Sequence, residues 1–326
     1  MGKKGNRKSL LVKSGRIYQE ISPVFSPLDS VCRWFFLPDK KKKQIPLIVI
    51  LAPPRSGSTL TYQLLTSGIE NFHLTNIWNL LYATPFIGAS VSEKLIARKS
   101  VSTFSSNHGF VPGLTGEAEG LKFWKYWMGQ TLEEEQQKIK INKLRKLANI
   151  IYRLGYKYDK SFITGYLGHV FSVNELREAF NHVIFIHLTR DLLSNAYSVY
   201  QISPKNWFST KPQGVDMDIP RNNQIVQQLI SIHKNILHYS QDDTCIIKYE
   251  DLCADPLKII DEILDFGTKK QLDFQKSKNV NMIPGHFEFN KTKPAMNEIT
   301  GGLYEILHNE ISKCTENERI FFNKIL

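Results

Sequence analysis

Short apolar runs alternate with longer amphipathic stretches along this chain. Runs rich in β-branched residues predict buried strands at Ile45–Leu51, Val183–Leu188 and Thr244–Tyr249, and a shorter strand is predicted at Ser161–Thr164. Strands that alternate with helices favour an α/β fold with a mostly parallel sheet. Such a sheet binds its ligands at the carboxyl ends of the strands.

Apolar residues at helical spacing fill most of the intervals between these strands. Gly68, Gly155 and Gly267 each follow such a period and are predicted to end a helix, and Thr131–Glu134 has the pattern of a capping box that would open one. Residues 71–128 look irregular and rich in aromatic side chains, which fits either an acceptor pocket or helical packing. The predicted helices cover residues 28–36, 58–67, 131–154, 174–180, 192–200, 221–239 and 256–266.

The length and the apolar content predict one large domain behind a basic leader. The chain has 326 residues, of which 42% are hydrophobic. Residues 1–43 read as a basic, partly ordered N-terminal lead-in, and residues 44–326 as a single α/β domain. No run of about 18 apolar residues is present, so the sequence predicts no transmembrane helix.

Positive charge is concentrated near the N-terminus. The formal net charge is +11, yet six basic residues lie within the first sixteen positions, without an acid, and Lys40–Lys43 form a second run. Outside these ten residues, basic and acidic side chains nearly balance, so a general nucleic-acid surface is not expected. The two basic runs fit either peripheral contact with an anionic membrane or a solvated tail and linker.

Cysteine usage argues against structural metal sites and disulfides. The four cysteines, Cys32, Cys245, Cys253 and Cys314, contain no Cys-x-x-Cys pair. We expect a cytoplasmic protein in a reducing compartment, with no bound metal and with Cys245 inside a strand.

The first candidate ligand-binding motif, Pro53–Leu60, follows the first predicted strand directly. This polar loop leads into a helix, so its backbone N–H groups and the positive end of the helix dipole point at one place. The loop lacks the Gly-Lys-Ser/Thr ending of the Walker A motif, which binds nucleoside triphosphates, and its cation is Arg55, before the glycine. A phosphate or sulfate group is the expected ligand; the alternative is an ordinary strand-to-helix turn with an incidental arginine.

A second cation ends the strand at Val183–Leu188. Arg190 follows that strand, and Ser198 lies eight residues further on, about two helical turns away. Together they are expected to hold a second phosphate, the arginine through its bidentate fork and the serine through its hydroxyl. The alternative is a surface ion pair between Arg190 and Asp191.

These motifs together resemble the sulfotransferases that use 3′-phosphoadenosine 5′-phosphosulfate. The resemblance spans about residues 45–267 and is closest to the broad bacterial sulfotransferase family, in which a block like Gly116–Gly120 precedes a long helix. It implies a P-loop NTPase-like sulfotransferase architecture, in-line sulfuryl transfer and no metal. The motifs that carry it are Pro54–Leu60, His187–Asp191 with Ser198 beyond, and Lys248–Leu252 followed by Asp255 and Pro256.

The resemblance also implies which residues hold the donor. Arg190 and Ser198 would bind the 3′-phosphate, and Tyr249 would lie near the adenine. Two departures from the family pattern stand out: Phe162–His169 lacks a lysine, and Leu192 replaces the usual proline. The 5′-phosphosulfate group would be bound by Arg55, Ser56, Gly57, Ser58 and Thr59.

Transfer to a hydroxyl also needs a base for the acceptor's proton, and Arg55 would stabilise the charge on the transferring group. Glu119 ranks first because it lies in the family-like block, and His108 ranks second, so the predicted catalytic residues are Arg55, Glu119 and His108. Glu117 and His73 are further candidates. Glu119 has an equally weighted alternative as a structural acid paired with a nearby cation.

The predicted function is therefore sulfuryl transfer to an acceptor that the sequence leaves open among small molecules, carbohydrates and lipids. Two alternatives stand beside it. One is an atypical P-loop kinase, which magnesium-dependent ATP binding would favour. The other is a non-catalytic, nucleotide-binding scaffold at a membrane, which tight liposome binding without turnover would favour. The sequence indicates no oligomeric state.

Overall fold

The computed structural model describes residues 22–38, 45–97, 102–106, 109–129, 139–202, 218–289 and 302–326. The predicted capping box at Thr131–Glu134 and the candidate base His108 lie outside the described residues.

Five parallel strands form the central sheet and confirm the predicted α/β class. In space the strands follow the order β2-β3-β1-β4-β5, and every neighbouring pair is parallel. Every residue of β1 and β4 is buried, which explains their uninterrupted apolar sequence. The strands are β1 (Leu47–Leu51), β2 (Asn71–His73), β3 (Ser161–Thr164), β4 (Val183–Thr189) and β5 (Thr244–Lys248).

Helices cover both faces of this sheet. Their bounds are α1 (Ser26–Phe36), α2 (Ser58–Gly68), α3 (Asn76–Leu80), α4 (Pro85–Ile96), α5 (Leu121–Met128), α6 (Ile141–Tyr158), α7 (Val173–Ala179), α8 (Leu192–Tyr200), α9 (Arg221–Tyr239), α10 (Tyr249–Ala254), α11 (Pro256–Lys269), α12 (Leu303–Ser312) and α13 (Glu316–Asn323). Among the described residues, no helix combines the length and the apolar character that a membrane span requires.

Two predicted helix ends are wrong, because the glycines there serve close packing. Gly155 lies inside α6, where an added Cβ would approach Ile45 Cγ2 to 2.3 Å. Gly267 lies inside α11, where an added Cβ would approach Phe274 Cδ2 to 2.3 Å. Both helices continue beyond these glycines because only the missing side chain, and no left-handed turn, is needed there.

The expectation of irregular structure over residues 71–128 is also wrong in part. This segment contains β2 and three helices, α3 to α5. Most of its aromatic side chains pack in the core, since Phe72, Trp78, Phe123 and Trp124 are fully buried. β2 escaped prediction because it has three residues and a single apolar side chain between two polar ones.

The strand predicted to reach Tyr249 ends one residue earlier, and Tyr249 begins α10. β5 is an edge strand of the sheet, so Cys245 is half-buried rather than enclosed in the core. The change of direction at Tyr249 turns its ring toward the loop behind β1.

Alternate residues of β1 divide the core into two layers. Leu47, Val49 and Leu51 pack with the aromatic cluster on one face, while Ile48 and Ile50 pack with an aliphatic cluster on the other. The carboxyl ends of β1 and β4 lie side by side, because Leu51 is paired with His187. The polar residues that follow these two strands therefore meet at the middle of the sheet edge.

Candidate active site

The loop between β1 and α2 is held in shape by its own hydrogen bonds and by α8. Ser56 Oγ donates to the Pro53 carbonyl at 2.7 Å, and Asn195 Nδ2 donates to the Pro54 carbonyl at 2.8 Å. The hydroxyl of Ser56 is fully buried and turned into the loop. Ser56 therefore shapes the loop, and only its main chain is left to meet a ligand.

Two residues of this loop adopt a left-handed backbone. Arg55 has φ of 62° and Gly57 has φ of 96°. Non-glycine residues rarely adopt this conformation, so the surrounding contacts impose it on Arg55. Among the described residues, no side chain caps the first turn of α2, which leaves its backbone N–H groups available to an anion.

Arg190 connects the second strand end to this loop. Its Nη1 donates to the carbonyl of Arg55 at 2.8 Å, and its guanidinium carbon lies 5.1 Å from the centre of the Tyr249 ring. The Nε of Arg190 is buried and has no hydrogen-bond partner among the described residues. Arg190 thus lines the cleft and has one N–H donor, at Nε, that no described residue uses.

Ser198 meets Arg55 rather than Arg190. Its Oγ lies 3.4 Å from Arg55 Nε, a long hydrogen bond, and no hydrogen bond joins it to Arg190 in the part of the chain described. Burial lowers the pKa of Arg55, and the charge of Arg190 lowers it further. An anion placed between the two guanidinium groups would relieve this repulsion.

Asp191 and Glu250 orient the second loop. Asp191 Oδ1 accepts from the backbone N–H of Ser194 at 2.8 Å and so caps α8. The backbone N–H of Asp191 donates to Glu250 Oε1 at 2.9 Å. These contacts fix the direction in which Arg190 leaves β4.

A cleft of about 540 Å³ lies in front of both loops and collects most of the predicted site residues. Ser56 and Ser198 are not among the residues that line it. Asn76, Asn79 and Leu167 line it as well and were missed, because each sits in a stretch without a recognisable motif. Of the predicted residues, the lining includes Arg55, Gly57, Ser58, Thr59, Glu117, Glu119, Arg190 and Tyr249.

Two acids stand opposite the loop. Burial raises the pKa of Glu119 to about 7. Glu117 is 8% exposed, and its Oε2 has no hydrogen-bond partner among the described residues. Neither acid forms an ion pair with a described cation, so the alternative of Glu119 as a structural acid paired with a cation gains no support.

One position relates Glu119 to the loop directly. A Cβ placed on Gly109 would lie 3.5 Å from Thr59 Oγ1 and 4.0 Å from Glu119 Oε1. The side chains of Glu119 and of Thr59, at the start of α2, therefore both lie close to Gly109, on the side where its Cβ would be. A titratable carboxyl and an anion-binding helix start share one end of the cleft.

The candidate His73 and two other buried histidines lie outside this cleft. His73 is buried, and its Nδ1 lies 2.7 Å from Asn71 Oδ1, outside the cleft lining. His187 bonds through Nε2 to His233 Nδ1 at 2.9 Å within the core. Burial lowers the pKa of His233 to about 3, so that side chain stays neutral. Over the described ranges, no group of three or more His, Cys, Asp or Glu residues is placed to hold a metal ion.

Comparison with known proteins agrees with this fold. The sequence model of the family described as "Sulfotransferase family" matches residues 46–268. No curated protein matches the chain. The solved structure of sulfotransferase STF9 from Mycobacterium avium is similar with a TM-score of 0.56 and 14% identity, over 90% of this chain and 81% of that one. Sulfotransferase STF1 from Mycobacterium tuberculosis H37Rv has a TM-score of 0.42 and 11% identity, over 82% and 75% of the two chains. The first similarity supports the fold, and the second is too distant to add to it.

Proposed function

The chain belongs to the sulfotransferase family, and we propose that it transfers a sulfuryl group from 3′-phosphoadenosine 5′-phosphosulfate to a hydroxyl or amine of an acceptor. The observation that carries this proposal is the shared position of Thr59 and Glu119 around Gly109, because it sets an anion-binding helix start against a group able to take a proton.

The residues present fit the proposed donor. The uncapped start of α2 and the left-handed backbone at Arg55 and Gly57 suit a phosphosulfate group. Arg190, whose Nε has no described hydrogen-bond partner, suits a second anion, the 3′-phosphate. Tyr249 lines the cleft between Gly57 and Arg190, and we place the adenine near it. The pairing of Ser198 with the 3′-phosphate stays a prediction, since Ser198 is bonded to Arg55.

The bound donor supplies an SO₃ group attached to a phosphate leaving group. Arg55 and the backbone N–H groups at the start of α2 stabilise the negative charge that grows on the departing phosphate oxygen. The acceptor oxygen or nitrogen forms the new bond to sulfur while the old sulfur–oxygen bond breaks. The electrons of that bond leave with the phosphate, so the chain itself has only to position groups and move one proton.

Glu119 is proposed to receive that proton on its carboxylate. A pKa near 7 keeps a useful fraction of the side chain ionised at neutral pH and makes it a stronger base than an ordinary glutamate. His108 stays a second candidate base and lies outside the described residues. Glu117 lines the same cleft and is the nearest alternative within it.

The cleft suits an acceptor with both apolar and polar surface. Phe110 and Leu121 at its edge are 58% and 48% exposed, while carboxyls and amides line the rest. A sugar ring, a lipid headgroup or a small alcohol would satisfy this mixture, and we leave the acceptor open among them. Cytoplasmic location likewise stays a prediction.

The test measures binding of 3′-phosphoadenosine 5′-phosphate by calorimetry to R55A, R190A and a control, R145A. Arg145 forms an exposed ion pair with Glu178 away from the cleft. Each of the first two changes removes a charge-assisted contact, so affinity should fall about 10- to 150-fold, and the control should bind like the parent. Unchanged affinity in both R55A and R190A would refute the assignment.

A further inference from the structure

The outer side of α1 and of the turn before it is unusually apolar. Seven of the fourteen large apolar side chains that the described residues expose lie between Val24 and Phe36. The largest exposures are those of Trp34 at 76% and Phe35 at 65%. This concentration in thirteen residues exceeds the scattered apolar exposure that soluble proteins normally carry.

Three of the exposed residues form a stripe along the helix. Leu28, Val31 and Phe35 follow one another at intervals of three and four, which is the spacing of a single helical face, and Val24 lies in the short 3₁₀ turn just before α1. Trp34 lies beside that stripe. We call these five residues the apolar face of α1.

Polar contacts on the opposite side hold α1 in place. Asp29 Oδ1 accepts from the backbone N–H of Ile87 at 2.9 Å, and Asp29 Oδ2 is paired with Arg33 Nε at 2.9 Å. Arg153 Nη2 donates to the Leu37 carbonyl at 2.9 Å, and the Leu37 side chain is buried in the core. The helix is thereby fixed on the domain with its apolar face outward.

Basic residues flank this face in sequence. Residues 1–43 contain eleven Lys and Arg residues against three acids. On the opposite side of α1, a groove of about 720 Å³ is lined by Arg33, Lys140, Lys143 and Lys146, and by no acidic residue of the described chain. An apolar, Trp-containing face that is flanked by cations in sequence complements an anionic lipid surface.

We propose that the apolar face of α1 is a membrane-binding surface that lies in the headgroup region of an anionic bilayer, and that the positive charge of the neighbouring sequence strengthens the attraction to such a bilayer. A second copy of the chain fits less well. A symmetric contact through α1 would bring two strongly basic N-terminal segments together, and their like charges oppose such a contact. The helix has eleven residues, which is enough to lie on a bilayer.

Vesicle flotation of the full chain tests the proposal, with vesicles of phosphatidylcholine alone or mixed with phosphatidylglycerol. We expect binding to the mixed vesicles, weaker binding in high salt and little binding to the neutral ones. Replacing Leu28 and Trp34 by serine should weaken binding at least about tenfold. Replacing Lys40–Lys43 by glutamine should weaken it about a hundredfold or more.

The matched control replaces Met282 and Ile320, which are 61% and 50% exposed elsewhere, by serine. That variant should bind like the parent. A parent chain that fails to bind mixed vesicles, or an L28S/W34S variant that binds as well as the parent, overturns the proposal. So does a parent dimer that L28S/W34S converts to a monomer without any vesicle binding, because the face would then be a contact between copies.

A spectroscopic readout covers the case in which the double variant fails to fold. Lipids with brominated acyl chains quench a tryptophan only where its ring enters the bilayer. The parent should show quenching that W34F loses while still floating with the vesicles. Equal quenching of both proteins would show that Trp34 stays outside the bilayer and would exclude this face as the site of insertion.

Discussion

The ring of Tyr249 occupies the space that a side chain at position 57 would need. A Cβ built on Gly57 would come within 2.2 Å of Tyr249 Cδ2, a distance at which one of the two groups must move. Arg190 covers the same ring at 5.1 Å. The loop behind β1, the residue behind β4 and the first residue of α10 thus form one packed unit.

Replacing Gly57 by alanine should disable the loop. The alanine meets the Tyr249 ring and also prefers to leave the left-handed region at φ of 96°, which costs about 1–2 kcal/mol by itself. We expect affinity for 3′-phosphoadenosine 5′-phosphate to drop at least about tenfold, as measured by calorimetry.

A double-mutant cycle with Tyr249→Ala separates the two causes. If the clash with the ring dominates, G57A/Y249A should bind better than the sum of the two single changes implies. Strict additivity of the two losses would mean that backbone strain, and not the ring, sets the requirement for glycine.

Glu119→Gln should lower turnover and leave donor binding intact. Removing a general base slows transfer about 10²- to 10⁴-fold. Because burial raises the pKa of Glu119 to about 7, the parent's kcat should rise with pH through about 7 and then level off. The variant should lose this rise, whereas Glu288→Gln at an exposed position should keep it; parental turnover in E119Q would place the base elsewhere.

The same residue predicts a pH dependence of stability. The folded chain keeps the Glu119 proton above the ordinary pKa of 4.5, so the unfolding free energy of the parent falls as pH rises from about 4.5 to about 7. E119Q cannot ionise and escapes this loss. Its melting temperature relative to the parent should therefore increase from about pH 5 to about pH 8, and a constant difference would contradict a raised pKa.

Asn195 ties the loop to α8, so its amide should matter for binding. Asn195→Ala removes the donor to the Pro54 carbonyl and should lower the unfolding free energy by about 1 kcal/mol, with a modest loss of donor affinity. Asn195→Asp is nearly the same size but adds a negative charge beside the anion loop, so its affinity loss should be clearly larger. Equal affinities of the two variants would show that the charge at position 195 does not reach the ligand.

Buried neutral histidines should make the fold sensitive to acid. Burial lowers the pKa of His169 to about 3. Between about pH 6.5 and about pH 3, this side chain is therefore protonated in the unfolded chain and neutral in the folded one. This single group should cost about 2 kcal/mol at about pH 5. Urea denaturation should show a smaller acid loss in H169Q than in the parent, while H286Q, at an exposed site, should keep the parental pH slope.

The sequence predicted the centre of the fold well because its signals there are local. A strand buried on both faces has to be apolar throughout, and a polar loop has to follow it at the sheet edge, so β1, β4, Arg55 and Arg190 could be read directly. Glu119 was found only through the family-like block around it. His108 and the division of the chain at residue 43 stay predictions.

Relations between distant elements could not be read in this way. Helical spacing places Ser198 two turns along α8, but which loop that turn approaches depends on how α8 packs, and it approaches Arg55. Asn195 is fully buried on the same helix, and a polar residue on a buried face was its one available signal. Gly155 and Gly267 show the same limit, since a glycine chosen for close packing looks like a helix stop in sequence.

The pairing of β1 with β4 sets the distance between the two strand ends from which the anion-binding loops start. Neighbouring strands are about 4.8 Å apart, and this spacing comes from main-chain hydrogen bonds rather than from side chains. Arg55 follows β1 and Arg190 follows the adjacent β4, and the side chain of Arg190 is hydrogen-bonded to the main chain of Arg55. Point mutations can weaken the binding of either anion, but the two loops stay side by side because the pairing of β1 with β4 holds their starting points together.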